Sequence, residues 1–324
     1  MAALRRKNQS EKRIVVIGGG TGVFTVLTGL RPFFRNLTAI VTMADDGGST
    51  GLLREEFGIL PPGDIRRALI ALSISDNKIL SELFNYRFRE GSGLTGHNFG
   101  NLMITALERV TGGFESAIAE AAKILSVQGK VVPVTLRPVK LMAELADGTV
   151  VRGEANIDIP SHDGRLKIRR VWLAPRAALN PAARREIMGA DLVIIGPGDL
   201  YTSIVPNLVV DGMREALRRT RAKKLYAVNV MTKHGETNGY RASDFLAAVE
   251  SYLGKGAVDY VLMNNVRPSP ARLRPYIKER AEFVEPDVAR SSRKPVPVTA
   301  DLIRSRGFVR HDPEKLARVI SMLL

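Results

Sequence analysis

Ile14-Val-Val-Ile17 running straight into Gly18-Gly-Gly-Thr-Gly22 decides how this chain is read. A β-branched run closed abruptly by glycines is a buried strand turning into a loop. The pattern recurs at once, where Ala39-Ile-Val-Thr-Met43 leads into Asp45-Asp-Gly-Gly-Ser-Thr-Gly51. In a parallel α/β sheet such loops sit at the carboxyl ends of strands, where ligands bind. Glycines let backbone N–H groups approach an anion without a Cβ in the way, so Gly19, Gly20, Thr21 and Gly22 suit a phosphate. The second loop, with Gly48, Ser49 and Thr50, opens on two carboxylates, Asp45 and Asp46. These would repel a phosphate unless a cation or sugar hydroxyls intervene. A phosphorylated, hydroxyl-rich ligand such as a nucleotide-sugar therefore fits better than phosphate alone.

Outward from these loops the α/β rhythm continues. Helices are expected over 64–72, 79–88, 98–110 and 114–127, with Asp64 as the N-cap of the first. From Lys130 the period changes to two. A strand at 131–136, a hairpin over 141–151 and a strand at 166–173 predict an antiparallel β insertion at about 131–174. The rhythm then returns with strands at 191–195, 224–230 and 260–263 and helices at 208–219, 242–253 and 313–323. This alternation predicts a Rossmann-like, mostly parallel sheet with helices on both faces. A single domain over 13–324 follows a basic tail at 1–12; the Arg- and Pro-rich stretch 266–310 is weakly patterned.

Two further loops resemble the first pair. Gly196-Pro-Gly-Asp-Leu-Tyr-Thr-Ser203 offers Gly196, Gly198, Asp199, Tyr201, Thr202 and Ser203, with Asn207 just beyond. Asn229-Val-Met-Thr232 is followed by Glu236 and Thr237. Simple connectors need no such concentration of Asn, Thr and Asp, so the four loops together indicate one composite cleft.

Composition narrows the chemistry. The chain has 324 residues, 45% of them apolar, and a formal net charge of +15. No apolar stretch reaches membrane-spanning length, and the start lacks a signal-peptide core, which makes cytoplasm the expected compartment. Zero cysteines exclude disulfides, thiolate nucleophiles and thiolate metal sites. The basic residues are dispersed and aromatics make up 6%, which argues against a specific nucleic-acid surface. Nicotinamide binding is disfavoured because G-x-G-x-x-G would need glycine where Val23 stands. Asp64 serves either as a helix cap or, with Asp45 and Asp46, as a ligand to a divalent cation such as magnesium. Arg66 beside a helix N-terminus is unfavourable unless it meets an anion. His97, Asn98 and Asn101 precede or open an apolar helix, and no Ser/His/Asp relay is legible.

The motifs Ile17–Gly22, Ala44–Gly51, Pro61–Arg66, Gly96–Asn101, Ile195–Ser203 and Asn229–Thr232 with Gly235-Glu-Thr237 resemble the bacterial gluconeogenesis factor family (YvcK-like). That family is related to the 2-phospho-L-lactate transferases (CofD-like) of deazaflavin coenzyme synthesis. The resemblance covers about residues 13 to 265. It implies a cytoplasmic, homo-oligomeric protein that binds UDP-activated sugars such as UDP-N-acetylglucosamine. It also implies a role in cell shape, wall synthesis and gluconeogenic growth, with cell-wall-synthesis proteins as partners. In the transferase relatives, carboxylates matching Asp45, Asp46 and Asp64 hold magnesium near the transferred phosphoryl group. No catalytic activity is implied for the gluconeogenesis-factor branch; the alternative is a phospholactyl-transferase-type enzyme using Mg2+ and a nucleotide-activated donor.

Overall fold

The computed structural model describes residues 10–290 and 294–324; the expected tail at 1–12 lies mostly outside them. The chain opens with β1 (Arg13–Gly18), α1 (Gly20–Leu30) and β2 (Asn36–Val41). Five helices follow: α2 (Gly48–Phe57), α3 (Pro62–Leu72), α4 (Lys78–Asn85), α5 (Phe99–Thr111) and α6 (Phe114–Ile124). Next come β3 (Lys130–Pro133), β4 (Lys140–Leu145), β5 (Val150–Arg152), α7 (Glu154–Asp158) and β6 (Ile168–Ala174). The second half runs α8 (Pro181–Met188), β7 (Leu192–Ile195), a π-helical turn at Leu200–Ile204, α9 (Val205–Leu208), α10 (Met213–Arg219) and β8 (Lys223–Ala227). It closes with α11 (Ala242–Leu253), β9 (Tyr260–Asn264), α12 (Pro270–Lys278), β10 (Val296–Ala300) and α13 (Pro313–Met322).

Seven strands form one sheet in the order β10-β9-β8-β7-β1-β2-β3, every neighbouring pair parallel. Its centre is made of the apolar runs read from the sequence. Ile14, Val16, Ile17 and all four residues of β7 have no exposed surface. Continuous rather than alternating burial is the mark of strands covered on both faces. Each such side chain contributes about 1.5–3 kcal/mol relative to exposure. From β1 the chain works outward through β2 to β3, and from β7 through β8 to β10 in the opposite direction. Right-handed crossovers therefore place the helices of the two halves on opposite faces. In keeping with this, α1 packs on α3, and α10 on α8 and α11; the last helix, α13, crosses back to pack on α1. The reversal point lies between β1 and β7, and a crevice opens there at the carboxyl ends of the strands.

Three expectations are corrected. The strand expected at 131–136 within the insertion is instead β3, an edge of the main sheet paired with β2. The separate antiparallel sheet, β5-β4-β6, begins at Lys140. Asp64 does not cap its helix: α3 starts at Pro62, with Pro61 as N-cap, because proline is preorganised for a first turn. The helix expected at 208–219 is shorter: α9 ends at Leu208, and α10 starts only at Met213, after Gly212 at φ +94°. The weakly patterned stretch holds α12 and β10, the latter an edge strand that tolerates Pro297 because one side needs no partner. No helix among the described residues is long and apolar enough to cross a membrane.

Candidate functional site

A cavity of about 510 Å³ lies over the β1–β7 reversal point. Its floor is the first glycine loop: Gly19, Gly20, Thr21 and Gly22 all line it, as do Gly198, Asp199, Thr202 and Ser203 after β7. Gly20 stands at φ +60°, which side chains with a Cβ adopt only at a cost. Gly22 is required for a different reason: a Cβ there would lie 1.9 Å from the Pro197 carbonyl oxygen. The two loops thus touch backbone to backbone, and the N-terminus of α1 opens into the cavity between them. Gly19, the N-cap, offers no side chain, and the first N–H of the helix, from Gly20, is taken by Asp64 Oδ1 at 2.9 Å. The positive end of the helix favours an anion, as that carboxylate illustrates.

One flank is acidic. Asp45, Gly48, Ser49 and Thr50 line it together with Asp64. Asp64 Oδ1 accepts the Gly20 N–H at 2.9 Å, and Asp45 Oδ1 accepts the Gly47 N–H at 3.0 Å. Burial, then the Asp45 charge, push the Asp64 pKa up to about 6. Burial raises Asp45 as well. Glu154, from α7 of the insertion, faces the same space and is pushed up to about 9 by burial and the neighbouring carboxylates. Asp46 does not join them. Its Oδ1 accepts the Ala155 N–H at 2.9 Å, tying the second loop to α7.

Basic residues stand beside these carboxylates. Arg66 is buried, bonded to Asn101 Oδ1 at 3.0 Å and Asn85 Oδ1 at 2.7 Å. Burial and the like charges of Arg67 and Arg87 bring its pKa down to about 10. Arg67 and Arg87 also line the cavity and are exposed, with Arg67 Nη1 3.9 Å from Asp64 Oδ1, and Asn101 lines it too. Three guanidiniums and a helix N-terminus beside buried carboxylates give the cavity two chemistries. The cationic groups suit anions, and the carboxylates interleaved with them suit hydroxyls or a hard cation.

Several sequence-selected residues build this site through bonds to its loops, most of them without lining it. Asn98 caps α5 through the Asn101 N–H and donates its own N–H to Ser49 Oγ at 3.1 Å. Gly47 to Gly51 carry the spacing of a nucleophile elbow, yet the Ser49 hydroxyl is buried in this contact and plays a structural part. His97 is buried, its Nδ1 without a partner among the described residues, and it does not line the cavity. Asn207 Nδ2 donates to the Gly18 carbonyl at 3.1 Å, fixing the end of β1. Asn229, which does line the cavity, accepts the Gly198 N–H at 3.1 Å. Thr232 Oγ1 accepts the Glu282 N–H, and Thr237 Oγ1 accepts the Lys233 N–H. Glu236 is fully buried and takes the Tyr201 N–H at 2.8 Å and the Thr202 hydroxyl at 2.9 Å. Burial and Asp199 push its pKa up to about 8. Gly196 and Tyr201 likewise lie beneath the cavity rather than in its wall.

The expected metal set is not assembled as such. Among the described residues, the set of three carboxylates close enough to share one ion is Asp158, Asp199 and Glu236. That place is filled by Lys233, whose Nζ donates to Asp158 and, at 3.2 Å, to Asp199. Burial opposes its charge, but Asp199, Glu236 and Asp158 hold the Lys233 pKa above its usual range. The lining residues that the sequence did not single out include Thr25, Arg67, Arg87, Glu154, Asp158, Lys233 and the segment Val309-Arg310-His311. Lys233 alone had a local signal, since it sits inside the fourth polar loop.

Residues 14–303 match the 2-phospho-L-lactate transferase CofD family. A protein of a Nostoc species, with gluconeogenesis factor in its name, is 47% identical over 313 residues, which are 95% of this chain and 68% of that protein. The gluconeogenesis factor of Bacillus subtilis is 42% identical over 316 residues, 96% of this chain and 98% of its own. A crystal structure of a UPF0052 family member from Bacillus halodurans superposes with a TM-score of 0.88 at 40% identity, covering 96% of this chain and 98% of that one.

Proposed function

This chain belongs to the 2-phospho-L-lactate transferase CofD family and, within it, to the gluconeogenesis factors, and on that footing we propose that its cleft binds a nucleotide-activated sugar of the UDP-N-acetylglucosamine type. One observation carries the reading. A helix N-terminus and three arginines lie beside a pocket of buried carboxylates in a single cavity. A diphosphate answers the first group and sugar hydroxyls answer the second. The protein acts as a cytoplasmic binding regulator of wall synthesis and gluconeogenic metabolism, its bound state read by cell-wall-synthesis proteins. Isothermal titration with UDP-N-acetylglucosamine at moderate salt tests this; saturable heat is expected, and its absence discards the reading.

A second reading draws on Asp45 and Asp64, whose raised pKa values a cation would relieve. Both are hard oxygen donors that suit magnesium, while Asp46 is committed to Ala155. A phospholactyl-transferase-type enzyme would use the ion to neutralise charge at a transferred phosphoryl group. We favour binding without metal: affinity in excess EDTA should match that in magnesium within about twofold. A strict magnesium requirement, with product formed from a phospholactyl-nucleotide donor and the deazaflavin acceptor, would establish the enzyme instead.

A further inference from the structure

The small antiparallel sheet β5-β4-β6 turns one face to the core and the other toward solvent. Along β4, Leu141, Ala143 and Leu145 are buried, while Lys140, Met142 and Glu144 between them are not. Residues directly opposite one another in an antiparallel ladder share a face. Met142 is opposite Trp172 of β6 on one side and Arg152 of β5 on the other; Glu144 is opposite Arg170 and Val150. The outer face therefore carries the chain's single tryptophan beside a methionine, both half-buried, and Val150 is 52% exposed next to them. Tryptophan, methionine and arginine are the residue types enriched where proteins meet.

The face is also basic. The three strands carry Lys140, Arg152, Arg169 and Arg170 against one acidic residue, Glu144. That carboxylate is already held by two cations, Arg169 Nη1 at 3.2 Å and Arg170 Nη2 at 2.6 Å. The Arg170 guanidinium carbon also lies 5.1 Å from the centre of the Trp172 ring. Lys140 and Arg152 are exposed and form no ion pair among the described residues. A protein segment with carboxylates flanking an apolar side chain answers both features. A nucleic acid answers them less well, since one ring offers no run of stacking platforms and Glu144 stands amid the cations.

A short path joins this face to the cleft. Gly153, the residue after β5, donates its N–H to the Leu141 carbonyl at 2.8 Å, and α7 follows at once. α7 gives the Ala155 N–H to Asp46, holds Lys233 through Asp158, and places Glu154 in the cavity wall.

We propose that the outer face of β5-β4-β6 is a docking surface for an acidic segment of a partner protein. Met142 and Trp172 receive an apolar side chain, and Lys140, Arg152 and Arg170 receive the flanking carboxylates. The assignment is independent of which ligand fills the cleft, and it sets the partner one helix away from that ligand.

The test selects short peptides from a randomised displayed library on the full chain, then titrates the enriched ones while Trp172 emission is followed. With one tryptophan in the chain, emission reports on this face. Enriched peptides should carry several Asp or Glu around an aromatic or aliphatic residue and should change the emission saturably. They should bind the Lys140→Glu/Arg152→Glu double variant at least about tenfold more weakly. Selection that enriches no acidic sequence overturns the proposal. So do acidic peptides that leave Trp172 emission unchanged, and neither result needs a variant to fold. Equal affinity for the charge-reversed protein overturns it as well. Polyglutamate of matched length binding as tightly as the selected peptides would mean generic attraction to a basic protein. A short oligouridylate that displaces them at lower concentration would give the face to RNA instead.

Discussion

Asp64 Oδ1 accepts the Gly20 N–H at 2.9 Å, so a carboxylate carried by α3 stands at the N-terminus of α1. An incoming phosphate and this carboxylate compete for the same positive helix end. The raised pKa of Asp64, about 6, is the electrostatic record of that crowding.

The competition makes affinity depend on pH. A diphosphate near Asp64 raises its pKa further, so binding takes up a proton, while a sugar diphosphate itself does not titrate in this range. Affinity for UDP-N-acetylglucosamine should rise about three- to tenfold between about pH 8 and about 5.5. Asp64→Asn should flatten the profile. Titration calorimetry in two buffers of different ionisation heat checks the proton count; a profile as steep in the variant would remove Asp64 from the phosphate subsite.

Stability of the ligand-free protein should show the same groups. Folded Asp64 and Glu154 hold protons that the unfolded chain has released, since both pKa values are raised. Their neutral forms favour folding at low pH. That advantage is lost as pH rises, for Asp64 between about 4 and 6 and for Glu154 between about 4.5 and 9. Relative to wild type, Glu154→Gln should gain about 2 kcal/mol near pH 8 and almost nothing near pH 5. Differential scanning calorimetry at both values decides it, and an equal offset at the two pH values would contradict the burial of this carboxyl.

The two floor glycines should separate folding from binding. Gly22→Ala forces a methyl into the Pro197 carbonyl and should cost upwards of about 4 kcal/mol. Gly20→Ala meets its nearest atoms at 3.6 Å and pays only the left-handed backbone cost, about 1–2 kcal/mol. It should remain folded with weakened nucleotide-sugar affinity. Chemical denaturation and titration of the same samples would show the idea wrong if Gly20→Ala bound like wild type.

Lys233 should matter more as pH rises. Lys233→Met leaves Asp158, Asp199 and buried Glu236 without their shared cation. The loss should be about 1–3 kcal/mol near pH 9 and smaller near pH 6, where Glu236, with a pKa of about 8, is neutral. Melting temperatures across that range measure it, and a loss independent of pH would mean Lys233 acts through packing alone.

What was legible in the sequence follows from how local its cause is. Ile14–Ile17 and Ala242–Leu253 were read correctly because burial on both faces and a single apolar stripe leave a signature within one element. The glycine loops were legible because backbone approach to a neighbour admits no other residue. Asp64 was misread as a cap because Pro62 starts the helix two residues earlier, and its carboxylate answers a distant N–H instead. α12 was missed since Pro275 and a run of arginines mask its period. Glu154, Arg87 and His311 left no trace, because each reaches the cleft from an element whose position only the tertiary fold determines.

The packing of α1 against α13 sets an order of events in time. A ribosome releases the phosphate loop and its helix early, and the helix that braces them, with the His311 wall before it, long afterwards. Contacts so far apart in sequence close late and slowly. Until they do, α1 keeps an apolar face open to other chains and to chaperones. The capacity to hold a ligand therefore marks a finished molecule: a chain stalled or clipped before α13 has its glycines in place and nothing to set them against.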